Sequence, residues 1–216
     1  MSIRNGSNGS EDPEKRQAIL EKAIVTFAEH GFRGSDVQAI ADGAGVGKGT
    51  VYRYFRSKED LFWSASFEVI QRLERYLFDE VEQVAGACAK IRAAAIAYTR
   101  FFEANPAYRE MFIQERAEFR GDGPESHRAY HQDLIRRFQK IFEEGIASGE
   151  LRPVDSHKAV HVLGSLLFGI VVLGSHLMNS SAEEMADYSI NIFFRGIRAD
   201  LPSEPESTCW TESQRQ

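Results

Sequence analysis

The sequence predicts an all-α chain of about nine helices, with a small N-terminal three-helix unit ahead of a larger helical body. Three observations carry this. Apolar residues recur at spacings of three and four through most of the chain, and no stretch makes a convincing strand. Proline is scarce, six in 216 residues, which leaves room for long uninterrupted helices. Capping residues recur where those apolar runs begin, at Asp12, Ser35, Ser57 and Ser181.

The elements follow in order. Residues 1–12 are rich in Gly, Ser and Asn and read as a disordered tail. Asp12-Pro13-Glu14 opens the first helix, with a capping Asp, Pro at the first helical position and an acid near the positive end of the dipole. Ile19, Leu20, Ala23, Ile24 and Phe27 form its apolar face to about residue 30, Gly31 stops it, and Phe32 can fold back onto that face. Ser35 and Gln38 fit a capping box, with Ser35 as the cap of a short helix that carries Val37, Ile40 and Ala41 inward. Gly43, Gly45 and Gly47 interrupt, and Lys48–Phe55 forms a second short helix. Ser57 opens a helix of about 25 residues, from Leu61 to Val84 on its apolar side.

Ala87–Ala104, Ala107–Phe119, Glu125–Ser148 and Ser156–Met178 then read as helices, and Ser181 with Glu184 caps a last one ending near Ala199. Residues 200–216 are polar and read as a flexible tail. This divides the chain into 13–58 and 59–199, between the two tails.

Composition restricts the function classes. Hydrophobic residues make up 43% of the chain and charged residues 27%, values of a soluble globular protein with a real core. The net charge of −6 is not that of a generally basic nucleic-acid binder, but its distribution is uneven. From Arg33 to Lys58 five basic residues (Arg33, Lys48, Arg53, Arg56, Lys58) face two acidic ones (Asp36, Asp42), which predicts one basic face on an acidic body. Cys88 and Cys209 are far apart with no paired-cysteine motif and read as two thiols of a reducing compartment. Residues 1–14 lack the apolar core of a signal peptide, so the expected location is the cytoplasm.

Ala39–Leu61, AIADGAGVGKGTVYRYFRSKEDL, is the informative stretch. Two short helices joined by a tight glycine turn make a helix-turn-helix, in which Gly45 takes positive φ and Val46 packs the helices together. On a helical wheel with Val51 at the core, Phe55 falls roughly 40° to one side and Tyr54 about 60° to the other. Gly49 and Arg53 then point outward, with Thr50 and Tyr52 on the flanks. A helix in the major groove needs such a lean basic edge toward the bases, with hydroxyls flanking it toward phosphates. Lys48 lies in the first turn, where the helix dipole also favours phosphate.

The run Gly45-Val46-Gly47-Lys48-Gly49-Thr50-Val51-Tyr52-Arg53-Tyr54-Phe55, continued by Arg56-Ser57-Lys58-Glu59-Asp60-Leu61, resembles the signature of the TetR/AcrR family of transcriptional repressors. Gly31-Phe32 and Ile40-Ala41 stand where that family has them, and the resemblance covers about residues 14–62. It implies a homodimer with two DNA-binding heads on a palindromic operator in double-stranded DNA. It also implies a small-molecule effector pocket in each C-terminal domain and a four-helix dimer interface from the last two helices. By that pattern Lys48, Gly49 and Thr50 lie at the groove, while Tyr52, Tyr54 and Lys58 grip phosphates. Ser35, Gln38 and Arg53 complete the candidate DNA-binding set. Where many relatives have Ser, this chain has Gly47, so one hydroxyl contact or cap is lost.

Competing readings fare worse. A phosphate loop needs Ser or Thr directly after its Lys, and Gly49 intervenes after Lys48. Val162–Met178 approaches membrane-spanning length, but its small and polar residues fit burial between the helices of a dimer better. The i, i+4 pairs His127/His131 and His157/His161 lack further ligands nearby in sequence and read as solvent-facing or helix-end histidines. No catalytic motif, metal or cofactor is expected.

Phe67, Phe101, Phe102, Tyr108, Met111, Phe112, Tyr130, Phe138 and Phe168 are the candidate lining of an apolar effector pocket. Glu103, Arg109 and Gln114 are its candidate polar groups. The alternative is a helical small-molecule sensor or carrier without DNA binding.

Overall fold

A computed structural model describes residues 12–119, 123–173 and 180–197, and among these the chain forms nine helices and no strand. Helix α1 (Pro13–Gly34) starts where the Asp12 carboxylate accepts from the amides of Glu14 and Lys15. Gly31, at φ 72°, kinks its end and turns Phe32 back, placing that ring 6.2 Å from Phe27 and 5.3 Å from Phe62.

The cap of α2 (Val37–Gly43) is Asp36, whose carboxylate accepts from the Gln38 amide at 2.8 Å. That corrects the expectation for Ser35. The Ser35 side chain is buried and donates to the Gly31 and Thr26 carbonyls, at 2.6 and 3.1 Å. It closes α1 instead of opening α2: Ser35 is the C-cap of α1, and its own amide also donates to the Gly31 carbonyl, at 3.1 Å.

Helices α3 (Lys48–Tyr54) and α4 (Lys58–Val81) are joined by a short turn. Ser57 caps α4 by accepting from the Asp60 amide at 3.0 Å, while Asp60 accepts from the Arg56 amide at 2.8 Å. Beyond α4 lie α5 (Ala87–Ala104), α6 (Pro106–Phe119), α7 (Glu125–Ser148), α8 (Ser156–Leu173) and α9 (Ala182–Ile197). The start of α5 is capped from afar, with the Glu150 carboxylate accepting from the Ala87 and Cys88 amides at 3.0 Å each. Those amides hold the Glu150 carboxyl below the usual range. Ser181 and Glu184 cap α9 reciprocally, at 3.1 and 2.9 Å.

The core has two parts. One joins Ile24 and Phe27 of α1, Ile40 of α2 and Val51 of α3 to Phe62 of α4, Phe102 of α5 and Met111 of α6. The other packs Ile91 of α5, Phe142 of α7, Leu163 of α8 and Ile190 of α9. The three N-terminal helices therefore share a continuous core with the helices behind them. An ionic link reinforces the junction: Arg72 of α4 bonds Glu21 of α1, Tyr108 of α6 and, at 2.9 Å, Glu68 of its own helix. The hydrogen bond to Glu21 raises the pKa of the already cationic Arg72 further, as a charge-assisted pair does.

Helix α8 is long and apolar enough by composition to cross a membrane. It buries Ala159, Leu163 and Leu167 in the second core and Val171 in the first, and leaves Val162, Leu166 and Leu173 in solvent. Tyr188 and Ile192 of α9 are exposed as well. The expected ends at Met178 and Ala199, residues 1–11 of the first tail, the whole second tail and Cys209 lie outside the described residues.

Candidate nucleic-acid interface and ligand cavity

Helix α3 is held from one side only. Val51 and the following Phe55 are each 1% exposed, while Lys48, Gly49, Tyr52 and Arg53 face solvent. Gly45 takes φ 68° in the preceding turn, and the Val46 amide donates to the Ala41 carbonyl at 3.0 Å, fixing α3 against α2. Lys48 lies 3.8 Å from Asp36, an exposed pair that holds the ammonium only weakly. Arg53 stacks over the Tyr54 ring, and Arg56 is exposed beside it.

The flanking groups are less free than the pattern alone suggests. The Tyr54 hydroxyl accepts from the Asp12 amide at 2.9 Å, so it anchors the start of α1 and keeps only its own proton to donate outward. The Lys58 ammonium sits over the Phe32 ring and donates to the Arg33 carbonyl at 3.2 Å. Gln38 is exposed, with its side-chain amide donating to Asp42 at 2.7 Å, and Thr50 is half-buried. Ser35 is withdrawn from the surface by its bonds to α1.

Gly47 is the cap of α3 and makes no side-chain hydrogen bond there. Its backbone is extended (φ −77°, ψ 150°), and a Cβ would meet nothing within 4 Å. Gly47→Ser should therefore stabilise the protein by about 0.5–1 kcal/mol, through a new cap and a less flexible unfolded chain. The check is a rise in the urea midpoint with unchanged slope.

A cavity of about 310 Å³ lies between α4, α5, α6, α7 and α8, within the usual size of small-molecule sites. Its walls are mostly apolar, including Ile70, Leu73 and Leu77 of α4 and Leu163 and Leu167 of α8. Of the nine aromatic and methionine positions expected to line it, Phe112, Phe138 and Phe168 do so. The other six do not. Phe101, Phe102 and Met111 are buried in the first core, and the Tyr108 hydroxyl serves Arg72. Phe67 and Tyr130 pack on each other, with centroids 4.8 Å apart.

The expected polar groups are also replaced. Gln114 donates to the Ala28 carbonyl of α1 at 3.2 Å, Arg109 pairs with the adjacent Glu110 at 3.4 Å, and Glu103 is exposed. The polar atoms at the cavity come instead from Tyr98, Arg116, His131, His161 and Ser165. Burial raises the Tyr98 pKa, so its phenol stays protonated. The Arg116 guanidinium stands over the Phe112 and Phe168 rings, at 5.4 and 5.7 Å.

His127 and His131 are not both solvent-facing. His127 is buried, with Nε2 3.2 Å from a carboxylate oxygen of Glu115, itself buried on α6. Burial opposes ionisation of Glu115, but hydrogen bonds from His127 and Ser66 outweigh it and hold the carboxyl below the usual range. Burial pushes His131 down to about 4, so its imidazole is neutral at physiological pH. His157 and His161 stay exposed and stack, with centroids 4.4 Å apart.

Two family models match the chain. One, described as bacterial regulatory proteins of the tetR family, covers residues 19–65, and the other, a tetracyclin repressor-like C-terminal domain, covers residues 85–172. The fatty acid metabolism regulator protein of Bacillus subtilis is 28% identical over 64% of this chain and 71% of its own. The transcriptional repressor KstR2 of Mycolicibacterium smegmatis is 26% identical over 67% of this chain and 71% of its own. The crystal structure of the TetR-family regulator PfmR from Thermus thermophilus is 25% identical and superposes with a TM-score of 0.69, covering 82% of this chain and 97% of that one.

Proposed function

Because the chain belongs to the tetR family of bacterial regulatory proteins, we propose that it is a cytoplasmic, effector-released repressor that binds a palindromic operator as a homodimer. The observation that carries this is the one-sided mounting of α3. Its Lys48–Arg53 edge is open to solvent while Val51 and Phe55 lock the opposite side into the core. Such a helix can enter the major groove without any rearrangement of the head. Lys48, Gly49, Thr50 and Arg53 meet the groove, while Tyr52, Tyr54 and Lys58 supply phosphate contacts that set register.

The exposed apolar residues of α8 and α9 support pairing with a second copy. Val162, Tyr188 and Ile192 are 52%, 65% and 54% exposed, a cost in water that a self-complementary interface removes. Pairing sets two α3 helices about one DNA turn, roughly 34 Å, apart.

The effector is a small apolar molecule. The name of the B. subtilis relative supports an acyl chain as its apolar part, and Arg116 at the cavity supports an anionic end. Filling the cavity acts on the head through α4, which runs from the turn after α3 into the cavity wall. An effector that binds the DNA-incompetent arrangement more tightly weakens operator binding by that difference, typically 1–3 kcal/mol.

The test is selection of genomic fragments by the purified protein at two salt concentrations, with sedimentation of the same preparation. One palindromic sequence should be enriched, its binding weakened by salt, and the protein should be dimeric at micromolar concentration. Absence of any enriched sequence would move the weight to a sensor or carrier without DNA binding, and a monomer would overturn the paired arrangement.

A further inference from the structure

Glu115, His127 and His131 form a cluster that neither the proposed operator contacts nor the apolar cavity explains. Each offers one ligand atom, and these atoms lie within 4.8 Å of one another. The carboxylate comes from α6 and the two imidazoles from successive turns of α7, where i, i+4 spacing puts them on one face. The His127–Glu115 hydrogen bond accounts for part of the arrangement, and the Ser66 hydroxyl serves the second carboxylate oxygen. It leaves His131 Nε2 buried without any hydrogen-bond partner. A buried, unpartnered nitrogen on His131 beside an ionised carboxylate is costly in a folded protein unless something binds it.

We propose that Glu115, His127 and His131 bind a divalent transition-metal ion of zinc's class at the edge of the effector cavity. Two imidazoles and one carboxylate form a donor set suited to zinc and its borderline neighbours, whereas calcium and magnesium prefer oxygen-only shells. Ligands about 2.0–2.2 Å from a tetrahedral ion stand roughly 3.3–3.6 Å apart. The 3.2 Å between His127 Nε2 and the Glu115 oxygen is close to that spacing. A change of side-chain rotamer at His131, whose ligand atom already lies within 4.8 Å of the other two, closes the remaining gap. The Trp63 and Phe67 rings pack on His127, at 5.1 and 6.0 Å, and give the site an apolar surround.

The site also has a route to the head. Gln114, the residue before Glu115, holds the Ala28 carbonyl of α1, and Glu118 one turn later pairs with Arg33 at 2.8 Å. Drawing Glu115 toward α7 therefore shifts the face of α6 that grips α1. With three protein ligands, the ion keeps a position free, and because His131 lines the cavity a donor atom of the effector can fill it. This coupling rests on the proposed function; the metal site itself does not.

The experiment uses the full-length protein after chelator treatment, titrated with zinc and with cobalt. Expected are one ion bound per chain, a visible absorption band for the cobalt form and a higher melting temperature with zinc. His131→Gln and Glu115→Gln should each weaken binding by more than about tenfold, a loss at least as large as removing a supporting partner causes. Both variants keep a polar side chain of similar size, and circular dichroism confirms folding. H157Q, at an exposed histidine outside the cavity lining, should bind as the unaltered chain does. No zinc binding at micromolar concentrations, or binding abolished by H157Q and untouched by His131→Gln, would overturn the proposal. Operator affinity measured with zinc and with chelator separates the two ideas, since failure to bind DNA in either condition sinks the regulator while metal binding is scored independently.

Discussion

Replacing Lys48 by alanine together with Tyr52 by phenylalanine should abolish tight operator binding while leaving the helical signal and the oligomeric state unchanged. Both side chains are exposed, and neither supports the core, so the cost falls on DNA contacts alone. A lost Lys48 contact at the groove weakens operator binding by about 1–3 kcal/mol and relaxes the sequence preference there, and the lost positive charge lowers the salt slope. The tyrosine hydroxyl removes a second contact per head, and in a paired protein each loss counts twice. For the unaltered protein, six to ten phosphate contacts per dimer imply an affinity drop of about 10³–10⁵ between 50 and 200 mM salt. Fluorescence anisotropy across that range measures both. Affinity and slope equal to those of the parent would mean that α3 does not carry the interface.

Phe62→Ala should cost about 3–5 kcal/mol of unfolding free energy, the largest stability effect expected here. Phe62 is fully buried where α1, α4 and α6 meet, with ring centroids 5.1 Å from Phe27, 5.3 Å from Phe32 and 5.2 Å from Phe119. Removing it empties a site whose rigid aromatic neighbours cannot collapse inward. Because the surrounding core runs from α1 to α6, the loss should lower a single cooperative urea transition. An early transition confined to α1–α3, with the remainder as stable as before, would contradict the continuous core.

The N-terminal features were legible because they are local. Capping at Asp12, Ser57 and Ser181, positive φ at Gly45 and the burial of Val51 and Phe55 depend on neighbours within a few residues. Ser35 was misplaced by one position because Asp36 and Ser35 are both good caps, and only the kink at Gly31 decides between them. The cavity was poorly legible for a different reason. Five helices build it, and whether Phe112 or Phe102 faces it depends on how α5 and α6 are rotated against their neighbours. Both residues lie on apolar faces, so periodicity treats them alike. Arg116 carried one readable signal, its position four residues after Phe112, which puts its charge on the face of α6 that Phe112 presents to the cavity. Glu115 carried none, since the partners of a lone glutamate on one helix are fixed only by the docking of the next.

The bond of Arg72 to both Glu21 and Tyr108 has an implication for protein engineering. Regulators of this shape invite cassette exchange, with the reading head of one chain grafted onto the sensing body of another. Here the seam of such a graft would cut through a charged network and an aromatic cluster, both of which draw on α1, α4 and α6. A chimera joined just after Phe55 would strand Arg72 opposite a foreign first helix, leaving a partly buried guanidinium short of a carboxylate. A transplantable unit must therefore include the inner faces of α4 and α6 as well as the first three helices.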